Sequence, residues 1–83
     1  MFYTYILQSD KSKRYYIGHT SDLQERINRH NSGNVTATRN KGPWKIVYFE
    51  EFDSKLAANQ RELNIKKMKS RVYIEILIQS NNT

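Results

Sequence analysis

The chain has no cysteine among its 83 residues. This excludes disulfides and thiolate metal sites, so any bound metal must be held through oxygen or nitrogen. It also has no long apolar run. The opening "MFYTYILQSD" loses its hydrophobic character after Leu7, too soon for a signal core or a membrane span, and it carries no basic leader. These absences predict a soluble, cytoplasmic chain without a membrane partner. No repeat, low-complexity tract, heptad, helix-turn-helix or zinc finger is visible. At this length a second core would have too little surface to bury. Residues 1–83 are therefore expected to form one domain, with 79–83 as a frayed polar tail.

Positive charge is plentiful. Fourteen Lys/Arg against eight Asp/Glu give a net charge of +6, a balance that attracts a polyanion such as nucleic acid.

"FYTYILQS" and "RYYIGHT" are aromatic and β-branched runs separated by the polar "DKSK", which reads as a β-hairpin. Pairing Tyr5 with Tyr16 puts Tyr3, Tyr5, Leu7, Tyr16 and Gly18 on one face. Phe2, Thr4, Ile6, Tyr15 and Ile17 then share the other. A slip of one residue would separate the tyrosines. "SDLQERINRHNSG" carries helix punctuation: Ser21 and Gln24 at capping-box spacing, Asp22 in the first turn and Gly33 at the exit. Arg26 and His30 are four apart, beside the Leu23/Ile27 stripe. "NVTATRNKGP" is a basic loop closed by Gly42-Pro43. "WKIVYFEEF" reads as a third strand with Trp44, Ile46 and Tyr48 on one face, and Val47 and Phe49 on the other. Ser54 caps a helix over "KLAANQRELNIKKMK". Ala58, Ile65 and Met68 lie on one side of it and Leu56 and Leu63 nearly opposite, the pattern of a helix wedged between two neighbours. "SRVYIEILI" is read as a further helix. The expected class is α+β, a small three-stranded antiparallel sheet with helices packed around it.

Two tyrosine-bearing strands, an Arg-x-x-x-His helix, a third strand and a glutamate-bearing helix together resemble the GIY-YIG nuclease superfamily. "YTY" at 3–5 stands where the first motif falls, with Tyr3 and Thr4 replacing its glycine and isoleucine. "YIG" at 16–18 matches the second motif outright. The resemblance spans roughly residues 2–78. The "W-x-I-x-Y…A-x-x-R-E" stretch looks most like the stand-alone, single-domain bacterial branch, excinuclease C-like. The resemblance implies metal-dependent phosphodiester hydrolysis. Tyr5, Tyr16, Arg26, His30 and Glu62 then form the catalytic set. Glu62 ligates a hard divalent cation, Mg2+ or Mn2+. Arg26 offers a forked, permanently charged donor to phosphate. Tyr5 is the candidate base with Tyr16 beside it, and His30 orients a tyrosine or water or relays a proton. Gly18 is structural. The family's C-terminal asparagine has no confident counterpart in Asn81 or Asn82.

Taken singly, each residue has a plain structural reading. Tyrosines fill small sheets, Arg26 can pair with Asp22, and His30 can favour the helix dipole. Glu62 can pair with Arg61, Lys66 or Lys69. Their order and spacing favour the site.

Lys13, Arg14, His19, Arg39, Lys41 and Lys45 are candidate nucleic-acid contacts, with Thr36 and Thr38 as hydroxyl donors. Such contacts position a backbone without reading sequence. The expected function is a DNA endonuclease of low sequence specificity, acting on branched or single-stranded DNA in repair or recombination. Two alternatives are a nucleic-acid-binding module of the same fold without turnover, and a subunit switched on by a protein partner.

Overall fold

A computed structural model describes residues 1–80. Its order is β1 (Phe2–Ser9), β2 (Tyr15–Thr20), α1 (Leu23–Ser32), a short 3-10 turn (Thr36–Thr38), β3 (Trp44–Phe52), α2 (Lys55–Met68) and α3 (Arg71–Ser80). The strands form one antiparallel sheet in the order β2-β1-β3. This is the expected α+β arrangement, with β1 central.

The β1–β2 register differs from the expected one by two residues. Tyr5 lies opposite Gly18, and Leu7 opposite Tyr16. Side chains alternate with period two, so the shift leaves every residue on its expected face. Ser9 sets the turn. Its hydroxyl accepts from the Lys11 and Ser12 amides and donates to the Lys41 carbonyl at 2.7 Å, joining the hairpin tip to the basic loop.

β3 departs from the alternation expected of it. A bulge between Ile6 and Leu7 leaves Val47 without an opposite residue, so Ile6 pairs with Tyr48 and Leu7 with Ile46. The bulge changes the phase of the strand. Trp44 and Ile46 therefore join Tyr5, Leu7, Tyr16, Leu23 and Ile27 under α1. Val47 and Tyr48 join Ile6, Ile65 and Ile74 under α2 and α3. Trp44 and Tyr48 thus lie on opposite faces. β3 is apolar on both faces because both are covered.

Helix α1 is capped by Asp22, whose carboxylate accepts from the Glu25 amide at 3.0 Å, in place of the expected Ser21. It ends at Gly33, which takes φ 85°, a conformation that suits a residue without Cβ. Helix α2 starts at Ser54 as expected. It buries only Ala58 and Ile65, whereas Leu56, Leu63 and Met68 are exposed. The helix therefore lies on the sheet with one free side and is not wedged between neighbours. Lys69, in a left-handed conformation, breaks it from α3. Helix α3 continues to Ser80, so 79 and 80 are helical, and the rest of the expected tail lies outside the described residues.

Arg61 ties β3 to both C-terminal helices. Its guanidinium forks onto Glu50 (Nη2–Oε2 2.9 Å, Nε–Oε1 3.1 Å) and donates to the Tyr73 hydroxyl at 3.1 Å. Tyr48 donates to the same carboxylate, and burial first, then Glu50, pushes its phenol up to about 12. Arg61→Ala leaves Glu50 without its cation beneath the helices. It should cost about 1–2 kcal/mol in urea unfolding, with Arg61→Lys recovering only part.

Candidate active site

Tyr5 and Gly18 are cross-strand partners, and the tyrosine ring lies over the glycine. A Cβ at position 18 would stand 2.4 Å from Tyr5 Oη and 2.6 Å from Cζ. Gly18 is thus the clearance that lets the buried Tyr5 ring cross β2. Beyond it, Tyr5 Oη lies 3.0 Å from His30 Nε2. Tyr16 packs edge-on against the same imidazole, with ring centroids 4.8 Å apart. Arg26, one turn before His30 on α1, acts on the Tyr5 phenol directly.

Burial raises the Tyr5 phenol to about 12. Tyr16 and Glu62 push the same way, and Arg26 opposes them. Burial first, then Arg26, lowers the His30 imidazole to about 4. At neutral pH the pair is therefore a neutral phenol against a neutral imidazole. Arg26 Nε is buried and has no hydrogen-bond partner among the described residues, although Glu25 approaches to 4.0 Å. The Asp22 partnership open to Arg26 from its spacing does not form. Asp22 is occupied as the helix cap.

Glu62 lies on the α2 side of the sheet, opposite the Tyr5 ring, and among the described residues its bonds go to His19 and Lys66 and not to Tyr5, Tyr16, Arg26 or His30. His19 pairs with Thr4, whose hydroxyl donates to the Ala58 carbonyl of α2, so that face of β2 looks toward α2. His19 Nδ1 and Glu62 Oε1 are 2.6 Å apart, and Lys66 Nζ donates to Oε2 at 2.5 Å. Because β2 is an edge strand, Glu62 still influences Tyr5 electrostatically. A cavity of about 240 Å³ at this edge is lined by Phe2, His19, Thr20, Ser21, Arg26 and Lys55. It draws Arg26 from one face and His19 from the other into one hollow. Lys55 had no signal in the sequence, because a lysine opening a helix looks like any solvated charge.

The remaining cations are dispersed. Arg14, Lys11 and Lys41 border a second cavity of about 390 Å³ between hairpin tip and basic loop. Lys13 occupies a left-handed turn position beside them. Arg39 Nε donates to the Gly33 carbonyl, and Lys45 pairs with Asp10 at 3.4 Å. Thr38 is buried and bonded to His30 Nδ1 at 2.8 Å. It is therefore a support for the imidazole and no surface phosphate donor. Among the described residues no three His, Asp, Glu or Cys side chains gather into a metal cage. A hard divalent cation would rest on the Glu62 carboxylate, with waters and a substrate phosphate completing its shell.

The GIY-YIG catalytic domain profile matches residues 1–74. The chain belongs to the GIY-YIG family. A UPF0213 protein of Clostridium perfringens is 41% identical over 78 residues, covering 93% of this chain and 83% of that one. A Streptococcus pyogenes UPF0213 protein is 41% identical over 70 residues, covering 83% and 75%. The solution NMR structure of a UPF0213 protein from Bacillus halodurans superposes with a TM-score of 0.58. It is 36% identical and covers 95% of this chain and 84% of that one. GIY-YIG membership implies nuclease-type activity. No helix among the described residues is long and apolar enough to cross a membrane.

The depressed His30 pKa has a thermodynamic consequence. Below about pH 6.5 the unfolded chain takes up a proton that the folded imidazole refuses until about pH 4, so stability falls as pH drops through that window. The loss from this group should reach up to about 3 kcal/mol. An NMR titration of the His30 ring should show a midpoint near 4, and His30→Gln should flatten the stability curve between those limits.

Proposed function

We propose that this protein is a divalent-metal-dependent DNA endonuclease of low sequence specificity, acting on branched or single-stranded DNA in repair or recombination. The observation that carries the reading is the bond from Tyr5 Oη to His30 Nε2 with Arg26 alongside. A phenol beside a proton acceptor and a fixed cation can work on a phosphodiester.

Arg26, which lines the edge cavity, binds a non-bridging phosphate oxygen through its guanidinium. Tyr5 takes a proton from the attacking water while passing its own to His30 Nε2, so the phenolate never has to persist in the free protein. The water oxygen bonds to phosphorus, and the departing oxygen keeps the electron pair and is protonated from solvent. Tyr16, edge-on to His30, holds the water against Tyr5. Glu62 holds the cation, which supplies charge neutralisation on the phosphate and lowers the cost of the departing oxyanion. Arg14, Lys11 and Lys41 extend backbone contact along the hairpin, and Phe2 and Lys55 receive the flanking nucleotide at the edge cavity.

Purified protein should cut labelled branched or single-stranded DNA with Mg2+ or Mn2+ and lose cutting in chelator. Glu62→Ala and Tyr5→Phe should each lower the rate by about a hundredfold or more while binding to DNA persists. Salt-sensitive binding with no cutting in either metal would favour a binding module. Cutting that survives in Glu62→Ala would expose a contaminant.

A further inference from the structure

The Tyr5 hydroxyl has Arg26 beside it, a group that only donates. Among the described residues the only acceptor bonded to that hydroxyl is His30 Nε2, at 3.0 Å. The imidazole must then accept at Nε2 and carry its proton on Nδ1. Nδ1 lies 2.8 Å from Thr38 Oγ1, which therefore accepts. The Thr38 hydroxyl proton goes on to the Val35 carbonyl at 3.3 Å. Every donor in this chain meets one acceptor, and the reverse direction would leave the Tyr5 proton with none.

The geometry points to Thr38 as the positioning residue that fixes His30 in its Nδ1–H form and so keeps Nε2 open to the Tyr5 proton. Thr38 is itself held on three sides. Its carbonyl accepts from Trp44 Nε1 at 3.1 Å. Asn31, next to His30, accepts from the Trp44 amide at 2.7 Å and donates to the Trp44 carbonyl at 3.0 Å. The Thr38 amide donates to the Val35 carbonyl at 3.1 Å. Thr38 is 1% exposed. A cavity of about 370 Å³ lined by His30, Asn31, Thr38, Asn40, Gly42 and Pro43 lies behind it. The other groups facing His30 are Tyr5 from β1, Tyr16 from β2 and Arg26 from its own helix. None of them is placed on Nδ1.

The catalytic consequence rests on the nuclease reading, but the tautomer does not. Imidazole nitrogen-15 shifts of the protein without DNA or metal should report Nδ1–H in the wild type. Thr38→Ser should keep that pattern. Thr38→Val should lose it, moving the proton toward Nε2. Cleavage should fall about tenfold or more in Thr38→Val and return in Thr38→Ser, with the pH–rate profile altered only in the valine variant. An Nε2–H tautomer in the wild type overturns the assignment, and so does a Thr38→Val protein that keeps Nδ1–H. Should Thr38→Val not fold, Thr38→Ala, which also lacks the hydroxyl, is read in its place with the same two outcomes. A protein that shows Nδ1–H in the wild type and loses it in Thr38→Val, yet cuts no DNA, defeats the nuclease reading and upholds the role of Thr38.

Discussion

A tyrosine ring lies across a glycine, and the rest of the site follows from it. With a side chain at residue 18 the Tyr5 ring would have to move, since even a methyl would stand 2.4 Å from its oxygen. With glycine there, the phenol passes over the edge strand and meets α1 at His30. One contact thus fixes the strand pairing, joins sheet to helix and sets the depth of a hydroxyl in a low-dielectric interior. That depth explains the pair's electrostatics: burial keeps both the phenol and the imidazole neutral. The residue type at 18 is therefore constrained by chemistry on the neighbouring strand and not by its own backbone angles.

Much of this was legible in the sequence because parity is robust. Moving the hairpin register by two residues changed every partner and no face, so Tyr5, Tyr16 and Gly18 remained together. What failed was whatever depends on an irregularity. The bulge opposite Ile6 and Leu7 sends Trp44 and Tyr48 to different cores, and nothing in "WKIVYFEEF" marks it. The cap moved from Ser21 to Asp22 because both can accept from an amide two or three residues on. Leu56 and Leu63 suggested a second buried stripe on α2, yet they are exposed. Periodicity reports which residues share a side, and only packing decides which side is covered. Thr38 reads as a phosphate donor in the sequence, and its bond to His30 went unforeseen for another reason. It lies in a loop, and its partner His30 is fixed by the Trp44–Asn31 clasp, a tertiary interaction with no local signature.

The cations divide into two kinds. Arg61, with its forked grip on Glu50 and Tyr73, is structural, and Glu50 raises its pKa further. Arg26 is different. It is half-buried, touches Tyr5, and has a donor without a partner. A buried unsatisfied donor normally costs about 1–3 kcal/mol, and under the nuclease reading the part of this guanidinium that lines the hollow is what a phosphate would meet. The adjacent "R-E" of residues 61 and 62 separates these roles within two positions. Arg61 turns inward to β3, and Glu62 turns to the β2 edge, because successive residues on a helix are about a hundred degrees apart.

Glu62 carries the hardest demand. Its two oxygens are held by His19 and Lys66, so under the nuclease reading a divalent ion would compete with both for one carboxylate. A single carboxylate binds magnesium weakly, and most of the shell has to come from water and phosphate. Under the nuclease reading the substrate itself completes the site, since its phosphates supply the missing oxygens and also draw the lysine and histidine away. The ion and the DNA backbone would then bind as a unit, and each would strengthen the other's hold by the same factor. Metal affinity of the protein alone is accordingly a poor guide to whether it works on DNA. The informative quantity is the change in that affinity when a phosphodiester occupies the hollow between Arg26 and His19.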